Sequence, residues 1–225
     1  MLVSEALFLL LSNKSDRFEI GVSHQRVALN GALLCDLVAT GLATITDGKS
    51  PSVAASEGAA KRASSHPALA HGVSRLEAKG ETPVYSALSS RKFADKEALA
   101  QRLIEEGVLD QERASFLGLT WHRFPEKDET IEAAMRGRYR SIFHGKAEPR
   151  PEEAIVILLL KNTGELRRVF LDEIQGVPFN DIRARVRDID RAVLEGGTFE
   201  HAREINIVLE AVARAAAVEE EAASS

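Results

Sequence analysis

The chain has 225 residues, of which 44% are hydrophobic, 28% are charged and only 5% are aromatic, and its net charge is −5. This length is enough for one domain with its own core, and a negative chain is unsuited to wrapping nucleic acid with its whole surface. The single cysteine excludes an internal disulfide and fits a reducing compartment. The longest apolar runs are too short to span a bilayer, so any membrane contact is expected to be peripheral.

Apolar periodicity and capping residues predict a mostly α protein, a single helical domain over residues 1–217 with a projecting β-hairpin and one or two other short strands. In the N-terminal half, helices are expected over residues 4–12 (capped by Ser4), 24–40, 66–79, 83–90 and 93–107. Short strands are expected over residues 18–22 and 42–46. Residues 48–65 are rich in Ser, Ala, Gly and Lys without any period, so we expect a mobile loop there.

The C-terminal half continues the helical pattern. Helices are predicted to begin at the capping or opening residues Asp128, Pro151, Asn180 and Thr198, with a shorter helix over residues 166–173. The helix that Pro151 opens is apolar on nearly all sides, which places it at the centre of the fold. Residues 218–225 are acidic or small, and we expect them to form a disordered tail.

The segment between these halves breaks the helical pattern and predicts a hairpin over about residues 115–125. It contains the only tryptophan of the chain. Large apolar side chains on a projecting element could cap the core, form an oligomer contact or enter a bilayer interface. The residues expected to make a membrane or oligomer contact are Phe116, Leu117, Leu119, Trp121, Arg123 and Phe124.

Residue patterns typical of catalysis are missing from the sequence. The histidines lack metal-binding spacing, one cysteine cannot build a zinc site, and no glycine-rich phosphate loop or nucleophile elbow is present. The carboxylate clusters fall where helices normally carry solvated charge. We therefore expect no enzymatic activity, no cofactor and no metal.

Three segments, in this order and spacing, resemble the Golgi phosphoprotein 3 family. They are residues 6–11, residues 29–37 followed by Gly41-Leu42, and residues 102–109 directly before the hairpin. The resemblance covers roughly residues 4–214 and implies a helical single domain with a projecting hairpin. It further implies binding to phosphatidylinositol 4-phosphate at a membrane, self-association through the hairpin, and adaptor contacts with cytoplasmic tails of membrane proteins.

Only part of the family's lipid site is found in this sequence. In the family, the site consists of a tryptophan, an arginine and two further basic residues. The corresponding residues here are, in the same order, Gly21, Asn30, Phe93 and Lys96. Only Lys96 is basic. These departures leave the headgroup specificity open. The Ala- and Arg-rich composition and the altered site favour a bacterial member.

Neighbouring basic residues would supply the remaining charge of a headgroup site. The residues expected to bind an anionic phospholipid are Lys96, Arg91, Lys92 and Arg26. The expected location is the cytoplasm, at the membrane surface, or the cytosolic face of the Golgi in a eukaryote. Lys96 also has a simpler interpretation, in which its aliphatic stem covers the apolar helix face and its ammonium group stays in water.

Two other functions compete with lipid binding. The protein could be a helical interaction module without a lipid site, which the altered site and the negative charge favour. A helix followed by a hairpin also resembles the recognition helix and wing of a nucleic-acid binder. Residues 91–110 carry four positive and five negative side chains, however, and so no nucleic-acid partner is expected.

Overall fold

The computed structural model describes residues 1–12, 24–116, 119–194 and 201–223. The described residues form eleven α-helices and five short β-strands, which confirms the mostly helical domain predicted from the sequence. In chain order the elements are α1 (Val3–Leu11), α2 (Gln25–Ala39), β1 (Ala43–Thr46), β2 (Ser52–Ala55), α3 (Ala59–Ala63), α4 (Pro67–Lys79), β3 (Thr82–Pro83), α5 (Val84–Leu88), α6 (Lys96–Glu105), β4 (Glu112–Phe116), β5 (Leu119–Arg123), α7 (Glu129–Phe143), α8 (Pro151–Asn162), α9 (Leu166–Val169), α10 (Phe179–Leu194) and α11 (Ala202–Ala223).

Helix α8 lies at the centre of the fold, as its all-round apolar sequence predicted. Every side chain over residues 154–160 is buried, and α1, α2, α10 and α11 all pack against this helix. Pro151 occupies its first turn, and the carboxylate of Glu153 accepts a hydrogen bond from the Arg150 N–H at 2.7 Å. Because no polar face needs to reach water, the helix can be surrounded by other helices.

Helix α1 begins at Val3 rather than after a Ser4 cap, so the predicted cap is wrong. The Asp36 carboxylate, on α2, accepts hydrogen bonds from the backbone N–H groups of Val3 at 2.8 Å and Ser4 at 2.9 Å. Glu5 accepts a third hydrogen bond from the Leu2 N–H at 2.8 Å. The free donors at the start of α1 are therefore satisfied largely by a tertiary contact. Burial raises the pKa of Asp36 to about 6.

Helix α2 approaches α8 and α11 closely at Gly31. A β-carbon at this position would lie 2.6 Å from Val212 Cγ2 and 3.0 Å from Leu159 Cδ2, both shorter than an ordinary contact between carbon atoms. The absence of a side chain on Gly31 lets the three helices meet at this point. This packing fixes the position of α2 relative to α11.

The segment 48–65, predicted as a loop, contains β2 and α3 instead. Strand β2 is the middle of a three-stranded antiparallel sheet, paired with β1 in the register Ala43↔Ala55 and with β3. Val53 is buried, whereas the flanking residues of β2 are only partly buried. The stability of β2 therefore comes from its pairing with two neighbouring strands and from one buried side chain. Because only one side chain is buried, the sequence of β2 lacks the alternation of apolar and polar residues that would predict a strand.

Other boundaries also differ from the sequence-based expectations. The residues 218–223, expected in a disordered tail, continue helix α11 to Ala223. Helix α6 begins at Lys96 rather than Phe93, because the Asp95 side chain accepts from the N–H groups of Glu97 and Ala98 and so caps the helix there. Helix α10 begins at Phe179, one residue before the predicted cap. The predicted strand over 18–22 and the Thr198 cap lie outside the described residues.

Among the helices that the structure describes, none combines the length and the apolar character needed to cross a bilayer.

Candidate functional site

A groove of about 1040 Å³ lies where four parts of the chain meet. They are the start of α2, the segment that leads into α6, strand β5 and the end of α11. Three of the four predicted headgroup residues line this groove, namely Arg26, Arg91 and Lys96. The fold therefore brings together basic side chains that are far apart in the sequence.

Arg26 is held from two sides within the groove. One terminal nitrogen of its guanidinium donates to the Ser89 carbonyl, and the other donates to the carboxylate of Glu219 on α11. His24 Nδ1 lies 3.3 Å from the second carboxylate oxygen of Glu219. The first turn of α2 thus holds one carboxylate through two different side chains.

Asn30, at the family's arginine position, is buried and holds the neighbouring backbone. Its side-chain NH₂ donates to the carbonyls of Leu88 at 2.6 Å and Ser90 at 2.8 Å, and its side-chain oxygen accepts from the Ala94 N–H at 2.8 Å. These bonds fix residues 88–94 against α2. Asn30 therefore positions the segment that carries Arg91 and does not itself face the groove.

Phe93 and Lys92 belong to the same segment but lie outside the groove. Phe93 is buried and anchors the segment in the core. Lys92 is exposed, and its backbone carbonyl lies 2.9 Å from His71 Nε2. Lys92 is thus the one predicted headgroup residue that does not line the groove, whereas Gly21 lies outside the described residues.

Lys96 lies at the first position of α6, with its side chain exposed on the groove side. Helix α2 begins at the same groove, at Gln25. The start of a helix carries a partial positive charge from its aligned peptide dipoles, so both helices favour an anion here. The groove therefore combines positive side chains with the starts of two helices, of which that of α6 is already capped by the Asp95 carboxylate.

The hairpin that forms one wall of the groove begins earlier than predicted, at Glu112. Its strands pair antiparallel, with Ala114 opposite Trp121. Trp121 is 47% exposed and lines the groove, and His122 Nδ1 lies 2.6 Å from the Glu97 carboxylate of α6. The hairpin is thus attached to the start of α6 and presents its tryptophan beside the basic residues.

Only part of the predicted hairpin surface can be placed. Phe124 is buried, and its ring meets that of Phe8 edge-on with the ring centres 6.1 Å apart, so this residue belongs to the core and not to the exposed hairpin surface. Arg123 is partly buried. The side chains of Phe116 and Leu119, and the whole of Leu117, lie outside the described part of the chain.

Acidic residues also line the groove, and none of them was among the site residues expected from the sequence. The carboxylates are those of Asp95, Glu97, Glu219 and Glu220. Asp95 caps α6 and Glu97 contacts His122, so these two have local structural partners. The run of acidic residues at 219–221 was visible in the sequence, but its assignment to a disordered tail hid its contact with α2.

The described residues contain no group of three or more His, Cys, Asp or Glu side chains that could hold a metal ion. The fold and the groove define a mostly helical domain with a mixed-charge groove beside an exposed hairpin.

The family model for Golgi phosphoprotein 3 (GPP34) matches residues 2–220. The chain therefore belongs to the Golgi phosphoprotein 3 family, in agreement with the resemblance found in the sequence. A comparison with curated proteins gave no match.

Proposed function

We propose that this protein is a non-enzymatic peripheral membrane protein that binds anionic phospholipid headgroups in the groove between α2, α6, the hairpin and α11. The observation that carries the proposal is the convergence of Arg26, Arg91 and Lys96 beside the exposed Trp121. A guanidinium or ammonium group donates charge-assisted hydrogen bonds to phosphate oxygens, and an arginine such as Arg91 can do so through two nitrogens at once.

The hairpin would supply the contact with the bilayer interface. A tryptophan places its ring at headgroup depth, where one edge is apolar and the other is wet. Trp121 lies next to the cations, so one approach to the membrane would engage both. Each basic side chain near an anionic surface contributes roughly a fivefold gain in binding, which makes a site with three of them weak and reversible.

Self-association through the hairpin would strengthen such binding. Once one subunit of an oligomer is bound to a membrane, the next subunit meets the same surface at a high effective concentration. An oligomer therefore binds the membrane more tightly than a single copy with the same weak site. The proposed partners are thus an anionic lipid, either phosphatidylinositol 4-phosphate or a lipid of similar charge, and further copies of this chain. Cytoplasmic tails of membrane proteins are proposed as additional partners from family membership.

The alternative function is a protein-interaction module without a lipid site. The charge balance of the groove favours it, because four carboxylates line the groove beside three basic side chains. In this alternative the groove would be a structural junction between α2 and α11, and the exposed part of the hairpin would bind a protein.

Liposome co-sedimentation separates these functions. The liposomes are phosphatidylcholine alone, or mixed with phosphatidylserine or with phosphatidylinositol 4-phosphate at matched total charge, at two salt concentrations. Arg91→Gln is compared with Lys92→Gln, an adjacent exposed position outside the groove with the same charge change. We expect Arg91→Gln to weaken binding about fivefold and Lys92→Gln to weaken it less.

Equal losses in the two variants would indicate attraction to the whole surface rather than a site in the groove. Failure of the wild-type protein to bind any anionic liposome would refute lipid binding and leave the interaction module. Trp121→Ala, measured by sedimentation velocity and on the same liposomes, tests whether the hairpin contributes to self-association, to membrane binding or to both.

A further inference from the structure

A second cleft lies between the end of α8, helix α9 and the first turns of α10. Its volume is about 340 Å³, and it shares no lining residue with the headgroup groove. Four of the residues that line it are basic, namely Lys161, Arg167, Arg183 and Arg187, and among the described lining residues none is acidic. The cleft is therefore positive, although the net charge of the chain is −5.

The cleft also presents an apolar surface. Leu166, Ile182 and Val186 line it while the larger part of each side chain is buried in the core. Phe179, at the start of α10, lines the cleft as well and is 47% exposed. Covering such a surface with a partner's apolar side chain removes it from water and is favourable.

Two of the arginines are held against the Phe179 ring. The guanidinium carbon of Arg167 lies 4.9 Å from the ring centre, and that of Arg183 lies 5.5 Å from it. A guanidinium held at a ring face loses little freedom on binding and can still donate its N–H groups to a carboxylate. In the part of the chain that the structure describes, no carboxylate pairs with Arg167, Arg183 or Arg187.

Other cations of the same region already have internal partners. The ion pairs are Lys161 with Asp190, Arg185 with Glu148 at 3.0 Å, and Arg191 with Asp188 at 3.8 Å. Arg183 and Arg187 are four residues apart on α10, so they lie on one side of the helix and their like charges repel. An external anion at this cleft would relieve that repulsion.

We propose that this cleft binds an acidic peptide segment of a partner protein. One large apolar side chain of the segment would cover the apolar surface, and neighbouring carboxylates would meet Arg167, Arg183 and Arg187. Arginine and aromatic residues are the types enriched at protein–protein interfaces and among their hot spots, which favours a protein as the partner. The inference goes beyond lipid binding and does not depend on it.

The spacing of the arginines suits an extended peptide. Four residues of helix separate Arg183 and Arg187 by about 6 Å along the axis of α10. Alternate side chains of an extended chain point to the same side and are roughly 6.6 Å apart. A segment with its apolar residue and its carboxylates at alternate positions can therefore present all of them to the cleft.

Fluorescence anisotropy of a labelled peptide on the full-length protein tests this inference. The probe is a short fluorescein-labelled peptide with one phenylalanine and several glutamates at alternate positions, separated by serines. One control peptide has glutamine in place of every glutamate, and another has alanine in place of the phenylalanine. Arg187→Gln is compared with Arg191→Gln, an exposed arginine of the same helix that does not line the cleft and that gives the same charge change.

We expect Arg183→Gln and Arg187→Gln each to weaken binding of the acidic peptide about threefold to fivefold, and Arg191→Gln to weaken it less than about twofold. Phe179→Ala removes the ring that holds Arg167 and Arg183 and should weaken binding at least about fivefold. Both control peptides should bind more weakly than the probe. Thermal melting followed by circular dichroism verifies that each variant remains folded.

Several results would overturn the inference. Absence of saturable binding to the wild type, or equal binding of the glutamine peptide, would exclude an acidic-peptide site. Equal losses in Arg187→Gln and Arg191→Gln would indicate attraction to the net charge of α10 rather than to the cleft.

Two further measurements separate other occupants of the cleft. If Arg187→Gln left peptide binding intact but weakened binding to anionic liposomes, the cleft would contact a membrane instead. If it dissociated an oligomer of the wild type in sedimentation velocity, the occupant would be a second copy of this chain. Arg91→Gln should leave peptide binding unchanged, so the peptide proposal and the lipid proposal can fail separately.

Discussion

Replacing Gly31 by alanine tests the helix packing that positions the groove. The added methyl group would lie 2.6 Å from Val212 Cγ2 and 3.0 Å from Leu159 Cδ2, where an ordinary contact is about 3.5–4 Å. Inserting a methyl group into a packed core costs about 1–3 kcal/mol. Alanine also favours the helix by about 1 kcal/mol relative to glycine, so the expected net loss for Gly31→Ala is about 0–2 kcal/mol.

Gly137→Ala is the matched control for this substitution. Gly137 lies inside α7, is exposed, and would place its new β-carbon with no other atom within 4 Å. This variant should gain about 1 kcal/mol from helix propensity alone. The difference between the two variants, about 1–3 kcal/mol, then isolates the steric cost of bringing α2, α8 and α11 together.

Urea unfolding followed by far-ultraviolet circular dichroism measures both free energies. The free energy of unfolding should fall with urea concentration at the same slope in all variants. A shift in the urea concentration at the midpoint then reports the change in stability directly. If Gly31→Ala and Gly137→Ala were equally stable, the close approach at Gly31 would not constrain the packing, and the reasoning would be refuted. If Gly31→Ala also weakened liposome binding, the position of α2 against α11 would matter for the groove as well.

Three further predictions concern single buried or exposed groups. Burial raises the pKa of Asp36 to about 6 from its ordinary 3.8. The native state therefore binds a proton at Asp36 more tightly than the unfolded state does. The free energy of unfolding should accordingly rise as pH falls from 7 to 5. Urea unfolding at pH 7 and at pH 5 gives this increase in the free energy of unfolding, which should be about 1 kcal/mol larger in the wild type than in Asp36→Asn. Equal increases in the two proteins would contradict the prediction. Phe124→Ala should cost about 3–5 kcal/mol, because a buried ring leaves a cavity, whereas Trp121→Ala at an exposed site should change stability by only about 0.5 kcal/mol in the same assay. If Trp121→Ala destabilised the protein more than Phe124→Ala, Phe124 would belong to the exposed hairpin surface and not to the core. Burial also raises the pKa of the Cys35 thiol, so dithionitrobenzoate should label it only at urea concentrations that unfold the protein, and rapid labelling without urea would show that Cys35 is accessible.

Helices with strong local signals could be predicted from the sequence. Helix α7 begins after Asp128, whose side chain accepts from the Thr130 N–H as the cap pattern predicted. The apolar run of α8 identified the central helix, because a helix without a polar face must be surrounded by protein. In both cases the information lies within a few turns of one element.

Elements that depend on distant partners were missed or misplaced. Strand β2 has one buried side chain, Val53, and obtains its hydrogen bonds from β1 and β3, so its own sequence lacks a clear alternation. The end of α11 was expected to be disordered because residues 218–225 are all acidic or small apart from Val218. Its contact with Arg26, across the groove, is a tertiary interaction that helix propensity does not contain.

The sequence by itself determined the helical class, the family and the candidate basic residues, because composition, periodicity and family resemblance are properties of local segments. Only the tertiary structure decided how these residues act. It buried Asn30 to hold the segment that carries Arg91, moved Phe124 into the core, and placed Glu219 on Arg26. These outcomes depend on distances between residues far apart in the chain, which are set by helix packing at points such as Gly31 and not by any short stretch of sequence.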